Sequence, residues 1–130
     1  MSRWKRGDIV VVTFPYTEAD GRIVVKGRPA LVVSSAWVNR STQDVIVAAI
    51  SSRQPAQPYP TDFKIAEGTA AFKRSGLKVS SIVKGTALAT LSQTVIARRL
   101  GSLGPVEMRQ VDGCLRASLQ LYLNLLKAES

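Results

Sequence analysis

The 130-residue chain contains no histidine and a single cysteine, Cys114. Without histidine there is no Ser-His-Asp arrangement and no imidazole base, so any catalysis falls to Arg, Lys, Asp, Glu, Tyr, Ser or Thr. One cysteine excludes an intramolecular disulfide, and no cysteine–histidine set exists from which to build a zinc centre, so neither metal nor cofactor is expected. Long apolar runs are missing as well. After the basic start MSRWKRGD, the apolar stretch Ile9 to Val12 is interrupted by Thr13 and Pro15, too short for the core of a secretion signal. No stretch approaches the length of a membrane span, and a soluble cytoplasmic protein is expected.

Acidic residues are scarce. Nine Asp and Glu face 18 Lys and Arg, a formal net charge of +9. Such an excess favours polyanionic partners, chiefly nucleic acid or a strongly acidic protein segment. The cations are scattered, from Lys5 and Arg6 through Lys73 and Arg74 to Arg98 and Arg99, so a basic surface has to be assembled by the fold. Hydrophobic residues make up 45% and charged residues 21%, the balance of a globular protein and not of a disordered one. The length points to one domain, residues 1–130, able to bury a real core.

The pattern is β up to about residue 103. DIVVVTF at 8–14 follows Gly7 and is predicted as a buried strand. Residues 15–28 carry Pro15, Asp20-Gly21 and Gly27 and fit a loop or a ragged hairpin whose return arm is Arg22 to Val25. PALVVSS and DVIVAAI (44–50) are two further strands, joined by the polar connection AWVNRSTQ. The proline-rich 51–61 is a loop, DFKI at 62–65 a short exposed strand and 67–79 an irregular link. Residues 80–91 form one bent strand with Gly85 at a bulge or corner, and 98–102 close the sheet. Gly104-Pro105, with Glu107 in the first turn, signals a helix. Its stripe of Val111, Cys114, Leu115, Ser118, Leu121, Tyr122, Leu125 and Leu126 suits packing on a sheet or on a twin subunit.

GRPALVVSS at 27–35 sets an arginine at the entrance of an apolar strand. Pro29 fixes its own φ and biases Arg28 toward extended geometry, while Gly27 carries no side chain, so backbone or ligand can approach closely. The guanidinium is thereby presented rather than buried.

Taken in order, RGDIVVVTF (6–14), GRPALVVSS (27–35), VIVAAISSR (45–53), PTDFKI (60–65) and the terminal helix resemble the MazF/PemK/Kid family of toxin endoribonucleases, whose fold is shared with the gyrase-poisoning CcdB toxins. The resemblance covers nearly the whole chain. It implies a mainly β fold, an SH3-like small antiparallel barrel with irregular loops and a C-terminal helix. By the family's motifs, the arginine before the proline, Arg28, and the hydroxyl closing the following strand, Ser51 in place of the usual threonine, are the catalytic pair. Glu18 or Asp20 matches the family's acidic loop residue, and Asp62 falls where relatives often present a polar residue to RNA. The segment that reads D-Q-(I/V)-R in relatives is GTALATLS here, so the customary glutamine and arginine fall on Ala87 and Ala89, with Lys78 and Lys84 as substitutes for the lost charge.

The chemistry suits these residue types. When a ribose 2′-hydroxyl attacks the adjacent phosphorus, the substrate brings its own nucleophile, and the protein has to stabilise a crowded, doubly charged phosphorane. A guanidinium fits two phosphoryl oxygens better than a point-charge lysine. Arginine is a poor base at neutral pH, so Arg28 is read as the electrostatic stabiliser and a proton donor, and Ser51 as a hydrogen-bond donor to the same phosphate. The base is open among Glu18, Asp20 and Asp62. Lys26, Ser52, Arg53 and Lys84 are the candidates to track the backbone of single-stranded RNA, which in-line attack favours because it is flexible.

The resemblance also implies a cognate acidic antitoxin and a two-fold homodimer. Two other functions stand beside the nuclease: a non-catalytic barrel of the same fold that poisons a protein such as gyrase, and a nucleic-acid-binding module that no longer cleaves.

Overall fold

Gly7 takes a left-handed φ of +99°, and its carbonyl and N–H are bonded to Leu103 and Val32 at 2.9 and 2.8 Å. This ties the chain's start to both ends of the fold. Next to it the buried Asp8 accepts the Lys5 N–H at 2.9 Å and pairs with Arg99 at 3.1 Å. The Arg-Gly-Asp start is thus a structural device. Asp8→Ala should lower stability by about 1 kcal/mol in chemical denaturation, because it removes a buried carboxylate that ties the Lys5 N–H and Arg99 together.

From Asp8 the chain of the computed structural model, which describes residues 3–121, runs as β1 (Asp8–Thr17), β2 (Ile23–Val32), α1 (Ala36–Ser41), β3 (Asp44–Ser51), β4 (Asp62–Ile65), α2 (Ala70–Ser75), β5 (Ser81–Ser92), a 3₁₀ turn, β6 (Ile96–Ser102) and α3 (Pro105–Leu119). The strands form one antiparallel sheet in the order β4-β5-β3-β2-β1-β6. The expected small antiparallel β fold with a C-terminal helix is therefore what forms. Among the described residues β4 and β6 remain the edges, so hydrogen bonding does not close the ring.

The central strands carry buried residues on both faces of the sheet, which explains why they read as continuous apolar runs rather than alternating ones. Ile9, Leu31, Ala48, Phe63 and Val83 face a core completed by Met108 and Val111 of α3, with Phe72 of α2 packed against it. Val10, Val12, Val32, Val45 and Val47, one residue out of step, form a second core with Trp4 and Ile96.

The β1–β2 connection differs from expectation. β1 runs through Pro15 to Thr17, and β2 passes straight through Gly27-Arg28-Pro29 as one strand, with Gly21 at φ +87° in the tight turn. Proline is tolerated because each lies beyond a neighbour's ladder: β6 pairs with β1 only as far as Val12, and β3 with β2 only from Ala30.

Two short helices replace stretches read as polar connection and irregular link. Ser35 caps α1 by accepting the Val38 N–H and Thr69 caps α2 by accepting that of Phe72, both at 3.2 Å. Gly85 sits where expected, at the β5 bulge, and a methyl group there would lie 2.5 Å from the Thr61 carbonyl.

α3 begins at Pro105, and its Glu107 carboxylate accepts the Gly104 N–H at 2.8 Å and pairs with Arg74. Burial alone would raise the pKa of Glu107, but these donors outweigh it and hold the carboxyl below its usual range. Val111, Cys114 and Leu115 pack on the sheet, so that part of the stripe is core. Burial first, and then the charge of Asp62, push the Cys114 thiol up. Leu121 follows the helix exposed, and Tyr122, Leu125 and Leu126 lie outside the described residues.

Candidate active site

The β2–β3 ladder is short. Ala30 pairs with Ala49, Leu31 with Ala48 and Val32 with Val47, and there it ends. Pro29, with no N–H to donate, is the first β2 residue outside it. Below this point β2 stays with β1, Arg28 opposite Val12, while β3 stays with β5, Ser51 opposite Ile82. Extending the β2–β3 register by two residues sets Arg28 opposite Ser51, and the strand period of two gives both the same face. The two residues chosen from the motifs, more than twenty positions apart in sequence, therefore flank one opening between diverging strands.

That opening is the mouth of a cleft of about 680 Å³. Ser52 and Arg53 continue its wall past the end of β3. Lys84 and Ala87 enter from the β5 bulge, where the partners of β3 jump from Leu88 to Val83. The far wall is Leu77, Lys78 and Val79 from the α2–β5 connection, with Arg98 and Leu100 of β6 beside them. Arg28, Arg53, Lys78, Lys84 and Arg98 thus converge on one cavity, and no carboxylate is among its described lining residues. A concentration of positive charge in a concave, partly apolar site focuses the field on an anion.

Ser51 is half-buried, and its Oγ accepts the Arg53 N–H at 3.1 Å. With that lone pair engaged, the hydroxyl proton is left to donate. Arg28 is exposed on its strand. The glycine before it leaves room for its neighbour: a Cβ on Gly27 would lie 2.8 Å from Val11 Cγ1.

The structure brings Arg28, Ser51, Ser52, Arg53 and Lys84 together, as well as Lys78. Lys26 is exposed two residues before Arg28 and outside the lining. Glu18 and Asp20 are away at the β1–β2 turn, where Asp20 pairs with Arg22 at 2.7 Å. The backbone N–H of Arg22 and then its guanidinium hold the Asp20 carboxyl below its usual range. Asp62 lines a separate cavity of about 130 Å³ with Gln54, Pro58 and Ile82, and both its oxygens are buried without a hydrogen-bond partner. None of the three carboxylates considered as the base lines the cleft.

Arg98, Leu77 and Val79 were not singled out from sequence as site residues. Arg98 reaches the cleft because β6 sets it opposite Val11, itself opposite Pro29. Only the register carries that information.

A comparison with solved structures finds the same fold repeatedly. An endoribonuclease in complex with its cognate antitoxin, from a mycobacterial species, superposes with a TM-score of 0.70 at 22% identity over 92% of this chain and 98% of that one. The Mycobacterium tuberculosis toxin MazF-mt6 gives 0.69 at 18% identity over 89% and 99%. A MazE-MazF complex from Deinococcus radiodurans gives 0.70 at 22% over 92% and 97%. No curated protein matches the chain. At these identities the likeness speaks for the fold. The family is given by the sequence itself, which fits the model of the PemK-like, MazF-like toxins over residues 5–119, and so the chain with this cationic cleft belongs to that family of type II toxin–antitoxin toxins.

Proposed function

We propose that the chain is an endoribonuclease that cuts single-stranded RNA, such as mRNA, at selected sequences, without a metal, by attack of the 2′-hydroxyl on the neighbouring phosphorus. The bond to the 5′-oxygen breaks, the 2′-hydroxyl proton passes to water, and the leaving 5′-oxygen takes up a proton as the 2′,3′-cyclic phosphate forms. The observation that carries this reading is the placement of Arg28 and Ser51 across one cationic cleft free of carboxylates among its described lining residues. Arg28 receives two oxygens of the scissile phosphate and stabilises the charge that grows on them in the phosphorane. Ser51, its Oγ already engaged by the Arg53 N–H, donates a hydrogen bond to the same group. The cleft offers charge and donors rather than a base, so catalysis rests on transition-state stabilisation. Relatives of the same fold named as endoribonucleases support the reading.

Kinetics of Ser51 variants test it. Ser51→Ala should lower kcat about 10²-fold with little change in KM, the cost of removing one positioned donor, and Ser51→Thr should retain most activity. Equal rates for Ser51→Ala and wild type would remove the hydroxyl from the mechanism.

The family resemblance supplies two partners. An acidic, disordered antitoxin segment lies across the cleft and orders on binding, in keeping with the net charge of +9 and with the relative seen beside its cognate antitoxin. The toxin itself works as a two-fold homodimer.

One observation favours a second reading, binding without cleavage. The side chain of Ala87 lines the cleft with neither charge nor hydrogen-bonding capacity, at the position where the family resemblance places a glutamine. RNA that is bound with strong salt dependence and left whole would be its signature.

A further inference from the structure

The scissile phosphate does not account for this cleft. A phosphodiester carries one negative charge, whereas five cations line the cavity. Its volume, about 680 Å³, is that of a site enclosing a ligand far larger than a phosphate group. Arg28 stands on the strand facing Ser51, while Lys78 and Arg98 belong to the other wall, on the α2–β5 connection and β6.

That second wall is held by backbone packing. Gly76 takes a left-handed φ of +75°, and a Cβ there would lie 2.2 Å from the Leu100 carbonyl oxygen. A Cβ on Gly101 would lie 2.2 Å from that of Arg74. The end of α2 is therefore pressed against β6, and this contact brings the segment that carries Lys78 against the strand that carries Arg98, both of which line the cleft with Leu77 and Leu100.

We infer that Lys78 and Arg98 form a second phosphate subsite, which takes a phosphate of the strand neighbouring the scissile one; the inference rests on the nuclease reading. The subsite binds and aligns the strand and takes no part in bond making. Its contacts are the same in the ground and transition states, so it acts on KM.

The test uses single-stranded 2′-O-methyl RNA, which binds but lacks the nucleophile, and measures affinity against salt concentration for wild type, Lys78→Ala/Arg98→Ala and Lys78→Arg/Arg98→Lys. Both residues are exposed, so the variants should fold. The alanine pair should flatten the log–log salt slope by about 1.4, near 0.7 for each lost contact, and the conservative pair should keep the wild-type slope. With unmodified RNA the alanine pair should raise KM about tenfold or more and leave kcat within about twofold. An unchanged slope, or a fall in kcat at constant KM, would overturn the subsite. Failure of the nuclease reading shows separately, as wild-type protein that binds both RNAs and cuts neither, and the salt slope still decides the subsite in that case.

Discussion

Arg28→Ala should abolish detectable RNA cleavage, with a loss on the order of 10³-fold or more in kcat/KM, while leaving the protein folded. The size follows from what a guanidinium does for a phosphoryl transition state: it delivers two oriented donors and a full charge to oxygens whose charge is rising, in a cavity partly shielded from water. The preserved fold follows from the residue's exposure on a strand whose β3 ladder has already ended. Arg28→Lys should restore only a small part of the rate, because an ammonium keeps the charge and loses the two-pronged geometry. Thermal unfolding run beside the kinetics separates the two effects. Full activity in Arg28→Ala would take the residue out of the mechanism, and unfolding would give it a structural role.

A large effect on stability is expected at Gly101. Substitution by alanine puts a methyl group 2.2 Å from the Arg74 carbonyl oxygen and 2.6 Å from the Ser75 carbonyl carbon, backbone atoms that cannot swing aside. Gly101→Ala should cost about 3 kcal/mol and Gly101→Val more, read as a fall in the denaturation midpoint. Gly21→Ala is the control: its φ of +87° costs only the modest strain of a left-handed residue, since nothing lies within 4 Å of the added carbon. Equal losses at the two sites would mean that α2 and β6 separate readily, and the cleft wall would then be loose.

How far the sequence revealed these features depended on how local each signal was. The strands were legible because β-branched runs such as Ile9–Val12 and Val45–Val47 are buried on both faces, and α3 because Pro105 and Glu107 mark its start. α1 and α2 were not, since six residues make too few turns to show a periodicity, although Ser35 and Thr69 are good caps. Pro29 was read as the first residue of a strand, whereas it lies inside β2 and marks the end of the β2–β3 ladder.

Arg28 and Ser51 were legible through motifs, and their opposition follows once the register is known. Arg98 was hidden for the converse reason. It reaches the cleft through pairing between β1 and β6, strands at opposite ends of the sequence. Asp62 sits in a motif but lines another cavity, because β4 lies at the sheet edge beyond β5.

The most direct test is to incubate the protein with a long end-labelled single-stranded RNA in EDTA, beside Arg28→Ala, and to identify the chemical ends of any fragments. Discrete cuts bearing 2′,3′-cyclic phosphate and 5′-hydroxyl termini, absent with Arg28→Ala, are the predicted result. RNA left whole by folded wild-type protein, or cleavage that survives the loss of Arg28, would contradict the account.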